Sequence, residues 1–443
     1  MKVLVIGSGA REHALAWAAA RSASVDLVYV APGNAGTRQE PKVQNVAVGA
    51  EDVPALVDFA RQYEVDLTIA GPEGPLLMGV VDAFNAAGLR CFGPSRGAAE
   101  LEGSKAFCKD FLVRHCIPTA EYRVFTDPDA ARDYIRERGA PIVVKVDGLA
   151  AGKGVTVAMS LDEALQAVQS ALVDKVFGAA GERVVVEEYL QGEEASFMVL
   201  ADGEKALPLA SSQDHKARDD GERGPNTGGM GAYSPAALVS ASRQRRIMKE
   251  IIGPTIAGMA KDGRRYVGFL YAGLMITADG SAKVLEFNVR LGDPEAQPVL
   301  MRLKSDLIQL CDAALAGRLD RCVADWDERA CLAVVMASGG YPGTFSKGHV
   351  ITGLPAVEQA SCKVFHAGTA FDEQGNIINT GGRVLSVCAL GETVALAQVP
   401  AYELVRSIHW DDVYYRSDIG YRAVERERRR GLHREMNQDD AQR

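Results

Sequence analysis

The stretch Val284-Leu-Glu-Phe-Asn-Val-Arg-Leu-Gly-Asp-Pro-Glu295 carries the residues best suited to chemistry. In an extended segment Glu286 and Asn288, two positions apart, project from one face, with Phe287 on the other. Polar oxygens presented this way suit a hard cation, Mg²⁺ or Mn²⁺, whose shell phosphate oxygens would complete. Arg290 falls on the same side if the strand continues, where it would neutralise a phosphoryl group in transfer. With no His or Cys nearby, zinc is disfavoured. Taken alone, the same pattern also describes a polar stripe facing solvent.

A second candidate is Lys145-Val-Asp-Gly-Leu-Ala-Ala-Gly-Lys-Gly154. It resembles a nucleoside-triphosphate P-loop, but only three residues separate Gly148 from Gly152, and Gly154 stands where Ser or Thr is required. The following Val155-Thr-Val-Ala-Met159 is strand-like, so the glycines form a hairpin tip. Such a tip can hold phosphate through close backbone N–H groups, helped by Lys145 and Lys153; an ordinary flexible hairpin fits it as well. The segment from Val185 to Glu194 turns abruptly from apolar to acidic. Backbone near Glu187, Tyr189 and Leu190 could meet an adenine, and Glu194 a ribose, although acidic loop ends are common. Asp214, His215 and Lys216 close another strand, where they could meet a zwitterion, and Gly224 to Gly231 would let backbone approach it. The charged residues 217–223 between them read as a mobile loop, and a solvated loop would explain the whole stretch too.

These candidates need elements to hold them. In the first hundred residues strands at Lys2 to Ile6, Leu27 to Val30 and Leu67 to Ala70 alternate with helices, and each strand ends in a Gly or Pro turn. That pattern predicts a doubly wound parallel sheet, with GSGARE, APGN and GPE sharing the crevice at its carboxyl edge. A dinucleotide fingerprint needs a third Gly at position 12, where Glu12 stands, so NAD is disfavoured. An anion at the helix N-terminus near Arg11 remains reasonable. His13 is a ligand contact or a hydrogen-bonded structural residue.

After Pro118 a compact α+β unit of some seventy residues follows: strand, helix, strand, hairpin, strand, helix (Leu161 to Leu172), strand (Arg183 to Glu187). Packed above a larger body, it could move as a lid. From Ala330 to about 428, strands at Cys331 to Met336, Lys363 to Phe365 and Arg383 to Cys388 predict a mixed β/α domain closing over the crevice, with substrate contacts through turns such as SGGYPG. Pro400 should bend or restart the helix expected over Glu392 to Ser407. The tail from Val424 alternates charges of both signs and reads as a helix fraying into a disordered end, residues 429–443.

The 443-residue chain is too long for one core, and its 47% hydrophobic and 24% charged content is ordinary for globular domains. A net charge of -9 argues against nucleic-acid or anionic-membrane partners, and no apolar run approaches spanning length. The eight Cys show no CxxC spacing and no secretory leader precedes them, so reduced thiols in a cytoplasmic protein are expected.

In order and spacing these motifs resemble the ATP-grasp enzymes. GSGAREHAL, APGNAGT, GPEGPL, LEGSKAF, KVDGLAAGKG, EEYLQGEEASF, SQDHK, GPNTGGMGAYSP, LEFNVRLGDPE, SGGYPG and KVFHAGT are similar to their glycinamide ribonucleotide synthetase branch, over residues 1 to about 428. The resemblance implies an N-terminal substrate-binding domain (1–102), an ATP-grasp domain (103–330, lid about 119–192) and a C-terminal domain (331–428). It implies an ATP-dependent ligase that phosphorylates glycine and joins it to 5-phosphoribosylamine, acting with Mg²⁺ or Mn²⁺ as a monomer or at most a weak dimer.

Roles follow position by position. Lys105 and Lys145 match the phosphate-binding lysines, with Gly152, Lys153 and Gly154 in the covering hairpin. Glu187, Glu188, Tyr189 and Leu190 match the adenine hinge, and Glu194 the ribose carboxylate. Glu286 and Asn288 match the metal pair, with Arg290 at the transferred phosphoryl group; Arg290, Lys145 and Asp214 are the catalytic candidates. Gly9, Arg11, Glu12, Asn34, Pro72 and Glu73 are similar to the phosphoribosylamine pocket. Asp214, Lys216 and Gly229, with Arg290, Gly292 and Asp293, match the glycine side.

The chain departs from the family pattern at Ser8 and Ala10 in GSGAREHA and at Val146 in KVDG, and residues 268–276 lack the carboxylate that many relatives carry on the strand before the metal pair. Another ATP-grasp carboxylate–amine ligase of nucleotide metabolism would share the ATP residues without GSGAREHAL and the DHK loop. A non-catalytic nucleotide-binding protein would be expected to have lost Glu286, Asn288 or Arg290.

Overall fold

The computed structural model describes residues 1–148, 154–356 and 361–430. The candidate phosphate contacts Gly152 and Lys153, and the tail beyond residue 430, lie outside the described residues.

Strands β1 (Lys2–Gly7), β2 (Leu27–Pro32), β3 (Val43–Asn45), β4 (Leu67–Ala70) and β5 (Cys91–Phe92) pair in parallel in the order β3-β2-β1-β4-β5. β1 and β4 are buried on both faces and so read as continuous apolar runs rather than alternating ones. Helices α1 (Ala10–Ala20), α2 (Val53–Gln62), α3 (Glu73–Leu77) and α4 (Val80–Ala86) cover the sheet. The chain crosses from β1 to β2 on one side and reaches β4 on the other, so the carboxyl edge between them is a topological switch point. GSGARE, APGN and GPE all leave from that edge, as their spacing predicts.

Helices α5 (Arg96–Gly103) and α6 (Lys105–Arg114) lead into the lid. Ser104 starts α6 by accepting the Phe107 amide on its Oγ at 3.0 Å. The lid consists of β6 (Tyr122–Phe125), α7 (Pro128–Arg138), β7 (Ile142–Val146), β8 (Val155–Ala158), α8 (Leu161–Val168) and β9 (Val184–Glu188), with sheet order β6-β9-β7-β8. Beyond Val168 the helix continues as a π turn through Gln169–Val173. The lid has its own core of Ile135, Val144, Val168 and Val186, and meets the body through a small cluster of Ala120, Leu190 and Met275. A separate core joined by so little apolar surface is what lets a lobe move as a unit.

Beneath the lid lie β10 (Glu193–Asp202), β11 (Ala206–Pro208), β16 (Val267–Ile276) and β17 (Ala282–Asn288), antiparallel in the order β11-β10-β16-β17. Phe197, Leu270 and Phe287 share a core with Leu4, Ile6 and Phe84, which fuses this sheet to the N-terminal one. Helices α9 (Ala241–Ile247), α10 (Gly253–Lys261), α11 (Ala296–Arg302) and α12 (Leu307–Leu315) flank it.

The last sheet is formed by β12 (Gln213–Asp214), β15 (Gly231–Ser234), β18 (Ala330–Ser338), β22 (Arg383–Gly391) and β19 (Cys362–His366), in that order, with β23 (Val413–Tyr414) added to β18. The loops bearing Asp214 and Gly229 are thereby stitched into the C-terminal sheet. Between β12 and β15, residues expected to be mobile instead form a hairpin, β13 (Ala217–Asp219) with β14 (Arg223–Asn226). Arg416, whose side chain is 0% exposed, clamps it by pairing with Glu222 and Asp418 and donating to Ala217 O. The charges that suggested solvation are thus spent on one another. A further pair, β20 (Thr369–Phe371) and β21 (Ile377–Asn379), stands apart.

Helix α13 (Val394–Ser407) runs through Pro400 without restarting. Ala397, Ala401 and Val405 on its inner face are fully buried in the C-terminal core, and that packing outweighs the hydrogen bond Pro removes. Residues 421–430 are helical, and Glu427 accepts the Val394 and Ala395 amides at 2.9 and 3.1 Å, capping α13. Among the described residues no helix is long and apolar enough to cross a membrane. Cys91, Cys108, Cys311, Cys331, Cys362 and Cys388 are buried, Cys322 is half-buried and Cys116 exposed.

Candidate active site

In the lid sheet Val144, Val146, Val184 and Val186 face the lid core, so Lys145 and Glu187 point the other way, towards β17. There Glu187 bridges two ammonium groups, Lys145 Nζ at 3.0 Å and Lys109 Nζ at 2.9 Å. Lys145 also donates to Leu285 O at 3.1 Å, and Lys109 to Thr119 Oγ1 at 2.7 Å, which in turn donates to Val284 O. One carboxylate between two lysines leaves a surplus positive charge on a buried face, which suits polyphosphate. Lys105 Nζ donates to Gly148 O at 3.0 Å, at the base of the hairpin. Asp147 joins that base to α6, accepting Ser104 Oγ and the Ala106 amide at 3.0 Å each while pairing with Arg183. A cavity of about 430 Å³ opens beside this junction, lined by Ser104, Asp147 and Arg183 and not by Glu286 or Asn288.

The hinge differs in part from expectation. Glu187 lies in a strand paired on both sides, and its carboxylate serves the lysines. Glu188 is exposed, with its amide donating to Glu121 O at 2.9 Å. Backbone leaves the ladder only at Tyr189 and Leu190, and there an adenine edge could be read. The Gly154 carbonyl accepts the Val146 amide at 2.8 Å, closing the hairpin stem.

Glu286 and Asn288 lie on one face of β17 with Phe287 buried behind them. Opposite Glu286 stands Gly273, where a Cβ would come within 3.2 Å of Glu286 Cγ. Lys216 Nζ sits 3.9 Å from Glu286 and 2.7 Å from Glu194. Asp214 lies close by, and Glu295, hydrogen-bonded to Ser196 Oγ at 2.9 Å, completes an acidic surround. Burial first, then Glu295, Glu194 and Glu286, push the Asp214 carboxyl up to about 8 despite Lys216. Glu286 itself is held below the usual carboxylate range: burial opposes this, but Lys216, Lys145 and Lys105 outweigh it. Three carboxylates and the protonated Asp214 around one ammonium are still short of positive charge, so the donor set fits a divalent cation and a substrate ammonium. Among the described residues no cluster of three or more His, Cys, Asp and Glu is arranged to hold a metal. A cation at Glu286 and Asn288 would therefore take its remaining ligands from phosphate and water.

The strand ends at Asn288, because Glu102 captures the Val289 amide at 2.7 Å. Arg290 consequently leaves the strand face and lies between two carboxylates, Glu73 at 3.1 Å and Glu102 at 2.8 Å. Burial works to raise Glu73, but Arg290 and Arg11 bring it down to about 2. Burial dominates at Glu102, which rises to about 7 even against Arg290. Arg290 thus links the GPE turn to the strand of Glu286 and Asn288.

At the crevice edge Arg11 pairs with Glu12 at 2.6 Å and donates to Leu291 O at 3.1 Å. Glu12 Oε2 accepts the Gly9 amide at 2.7 Å, filling space that a third glycine would leave open. Pro72 caps α3 and so aims Glu73. Asn34 is fully engaged, donating to Ser8 O and His366 O and accepting the Gly36 and Thr37 amides; it shapes its turn with every polar atom it has. Across the crevice Arg383 pairs with Asp293 at 3.0 Å and donates to Gly228 O, whose own amide donates to Tyr341 Oη at 3.0 Å. Gly229 has φ +110° and a Cβ there would strike Pro294 Cδ at 2.3 Å, while one at Gly292 would lie 2.5 Å from Glu295 Oε2.

His215 belongs elsewhere. It is 0% exposed, its Nε2 accepts the Gly420 amide at 3.2 Å, and its Nδ1–H donates to Gly231 O at 3.3 Å. Strand alternation turns it away from Asp214 into the C-terminal core. Burial, then Arg416 and Arg422, lowers its pKa to about 3; burial and His13 bring His366 to about 3 as well. Both rings are neutral in the folded chain, whereas the unfolded chain protonates near 6.5. Stability is therefore complete above that value and falls as pH drops below it, by up to about 1.4 kcal/mol per pH unit for each ring. Denaturation midpoints from pH 7.5 to 5 should fall more steeply for the native chain than for His215→Asn; equal slopes would mean that His215 titrates normally in the fold.

Lys109, Glu102, Glu295 and Arg383 were not singled out by sequence reasoning. Lys109 had a local signal, since it lies four residues after Lys105 on one helix face. Glu102 stands in the LEGSKAF motif, which gave it no role of its own, and Arg383 reaches the site from a distant segment with no signal.

Three family models match the chain: phosphoribosylglycinamide synthetase N domain over residues 1–102, its ATP-grasp (A) domain over 103–296 and its C domain over 331–422. Among similar proteins, a phosphoribosylamine–glycine ligase of Escherichia coli O6:H1 is 62% identical over 427 residues, covering 96% of this chain and 100% of that one. One of Vibrio cholerae serotype O1 is 61% identical over 428 residues, covering 96% and 99%. The crystal structure of phosphoribosylamine–glycine ligase from Thermotoga maritima aligns with a TM-score of 0.83 at 33% identity, covering 95% of this chain and 100% of that one. A biotin carboxylase domain of Hydrogenobacter thermophilus 2-oxoglutarate carboxylase aligns with a TM-score of 0.72 at 16% identity over 94% of this chain and 91% of that one, a likeness of fold alone.

Proposed function

Because the chain belongs to the phosphoribosylglycinamide synthetase family, we infer that it is an ATP-dependent ligase joining glycine to 5-phosphoribosylamine, in purine biosynthesis. The observation that carries this reading in the geometry is Arg290, which stands two residues beyond the metal pair and also holds the crevice turn at Glu73. Phosphoryl transfer and amine capture then meet at one side chain.

ATP lies between the lid and β17, with its phosphates at Lys105, Lys145 and the hairpin that includes Gly152, Lys153 and Gly154. Tyr189 and Leu190 meet the adenine beside Glu188, and Glu194 the ribose. Mg²⁺ or Mn²⁺ held by Glu286 and Asn288 would offset the charge of the ATP phosphates. Lys145 exchanges Glu187 for phosphate, and Lys109 stays as that carboxylate's counter-ion. Glycine sits with its ammonium among Asp214, Glu295 and the Gly229 turn, and its carboxylate towards Arg290, Gly292 and Asp293. One glycine oxygen takes the terminal phosphoryl group as the bond to ADP breaks. The amine of phosphoribosylamine, held by the Gly9, Arg11 and Asn34 turns, then attacks the acyl carbon. A C–N bond forms, the C–O bond to phosphate breaks, and the amine loses a proton. The work is orientation and charge neutralisation, so no strong nucleophile is needed.

The same reading has the enzyme acting in the cytoplasm on small molecules, as a monomer or a weak dimer. It is tested by ADP release with ATP, Mg²⁺ and glycine, with and without phosphoribosylamine generated from ribose 5-phosphate and ammonia. ADP should form together with glycinamide ribonucleotide only when both co-substrates are present. ADP formed with another carboxylate, or none at all, would overturn the substrate assignment.

A further inference from the structure

The end of β19 is planted in the N-terminal crevice. Lys363 Nζ pairs with Glu40 Oε1 at 2.5 Å, and the same oxygen lies 3.0 Å from His13 Nε2. His13 Nδ1 accepts the His366 amide at 2.8 Å, so the neutral ring carries its proton on Nε2 and donates it to Glu40. His366 O in turn accepts Asn34 Nδ2 at 2.7 Å. A Cβ on Gly36 would lie 2.5 Å from His13 Cε1 and from His366 Cγ, so the Gly33–Gly36 turn rests directly on the two rings. The Lys363 and Glu40 side chains are each 8% exposed, and the Lys363 ammonium lies 5.9 Å from the centre of the Trp17 ring. A buried carboxylate shared by two donors fixes register more than it adds stability.

We propose that Lys363, Glu40 and His13 form a positioning device through which the C-terminal domain sets the Gly33–Gly36 turn for the phosphate-bearing amine substrate, without touching ATP or glycine. The proposal rests on the ligase reading, which assigns that turn to phosphoribosylamine. It predicts a split that a purely structural contact would not produce.

In the full-length enzyme, Lys363→Met keeps the apolar stem over Trp17 and removes the ammonium. Its KM for phosphoribosylamine should rise about tenfold or more, while KM for ATP and for glycine stay within about twofold. Lys363→Arg should restore the amine KM to within about threefold of native. Should Lys363→Met fail to fold, Glu40→Gln, which keeps size and one acceptor, should show the same split. KM values that all rise together, or none that moves, would overturn the device while native activity upholds the ligase reading. A native enzyme that forms no glycinamide ribonucleotide would overturn that reading, and the device with it.

Discussion

Arg290→Met should lower kcat by about 10³-fold. The guanidinium reaches from the end of the metal-pair strand to the crevice turn, and its position is held by Glu73 and Glu102 rather than by the strand. Its removal deprives the transferring phosphoryl group of fixed positive charge. It also leaves the buried Glu102 and the half-buried Glu73 without their shared partner, which should cost about 3 kcal/mol of stability. Arg290→Lys separates the two effects, since a point charge cannot serve both carboxylates in fork geometry. It should restore most of the stability while kcat stays at least about tenfold down. Steady-state rates set beside denaturation midpoints check this; a fully active Arg290→Lys would reduce the side chain's role to simple charge.

Glu286→Ala should lower kcat by about 10³-fold, while KM for phosphoribosylamine stays within about threefold. In the proposed mechanism the carboxylate is the anionic half of the cation seat, and Gly273 stands opposite it in the neighbouring strand. The loss should therefore fall on chemistry, not folding. Removing one of the carboxylates around Asp214 should also let the Asp214 pKa come down, since Glu286 is one of the charges holding it up. Rates measured across Mg²⁺ and Mn²⁺ concentrations, with the denaturation midpoint as control, make the check. Unchanged turnover would remove Glu286 from the mechanism.

How much of the fold and site is legible in the sequence depends on how local the cause is. The parallel sheet and its crevice follow from apolar runs that end in Gly and Pro turns, and the shared face of Glu286 and Asn288 follows from strand periodicity alone. Periodicity places Arg290 on that face too, and it leaves because Glu102, nearly two hundred residues earlier, takes the Val289 amide. Glu187 reads as part of a hinge because it borders acidic residues; pairing register puts it on the face of Lys145, and that register is not written in either strand alone. His215 groups in sequence with its neighbours Asp214 and Lys216, yet alternation sends it into the other core. Residues 217–223 read as mobile because Glu222 finds Arg416, and the Gly221 amide finds Asp418, only in the folded chain. Pro400 should break a helix, but tertiary packing carries that helix through. Lys363 and His366 read only as part of the KVFHAGT motif and Arg383 carries no signal, since the partners of all three lie in another domain.

Activation of the glycine carboxylate by ATP before amine attack is the central claim, and oxygen tracing tests it most directly. Glycine labelled with ¹⁸O in its carboxylate is turned over with ATP and phosphoribosylamine, and the released phosphate is analysed by mass spectrometry. One glycine-derived ¹⁸O is expected in each phosphate, because the oxygen that accepts the phosphoryl group leaves with it. Phosphate free of label would contradict an acyl-phosphate route and, with it, the roles of Arg290 and the Glu286 pair.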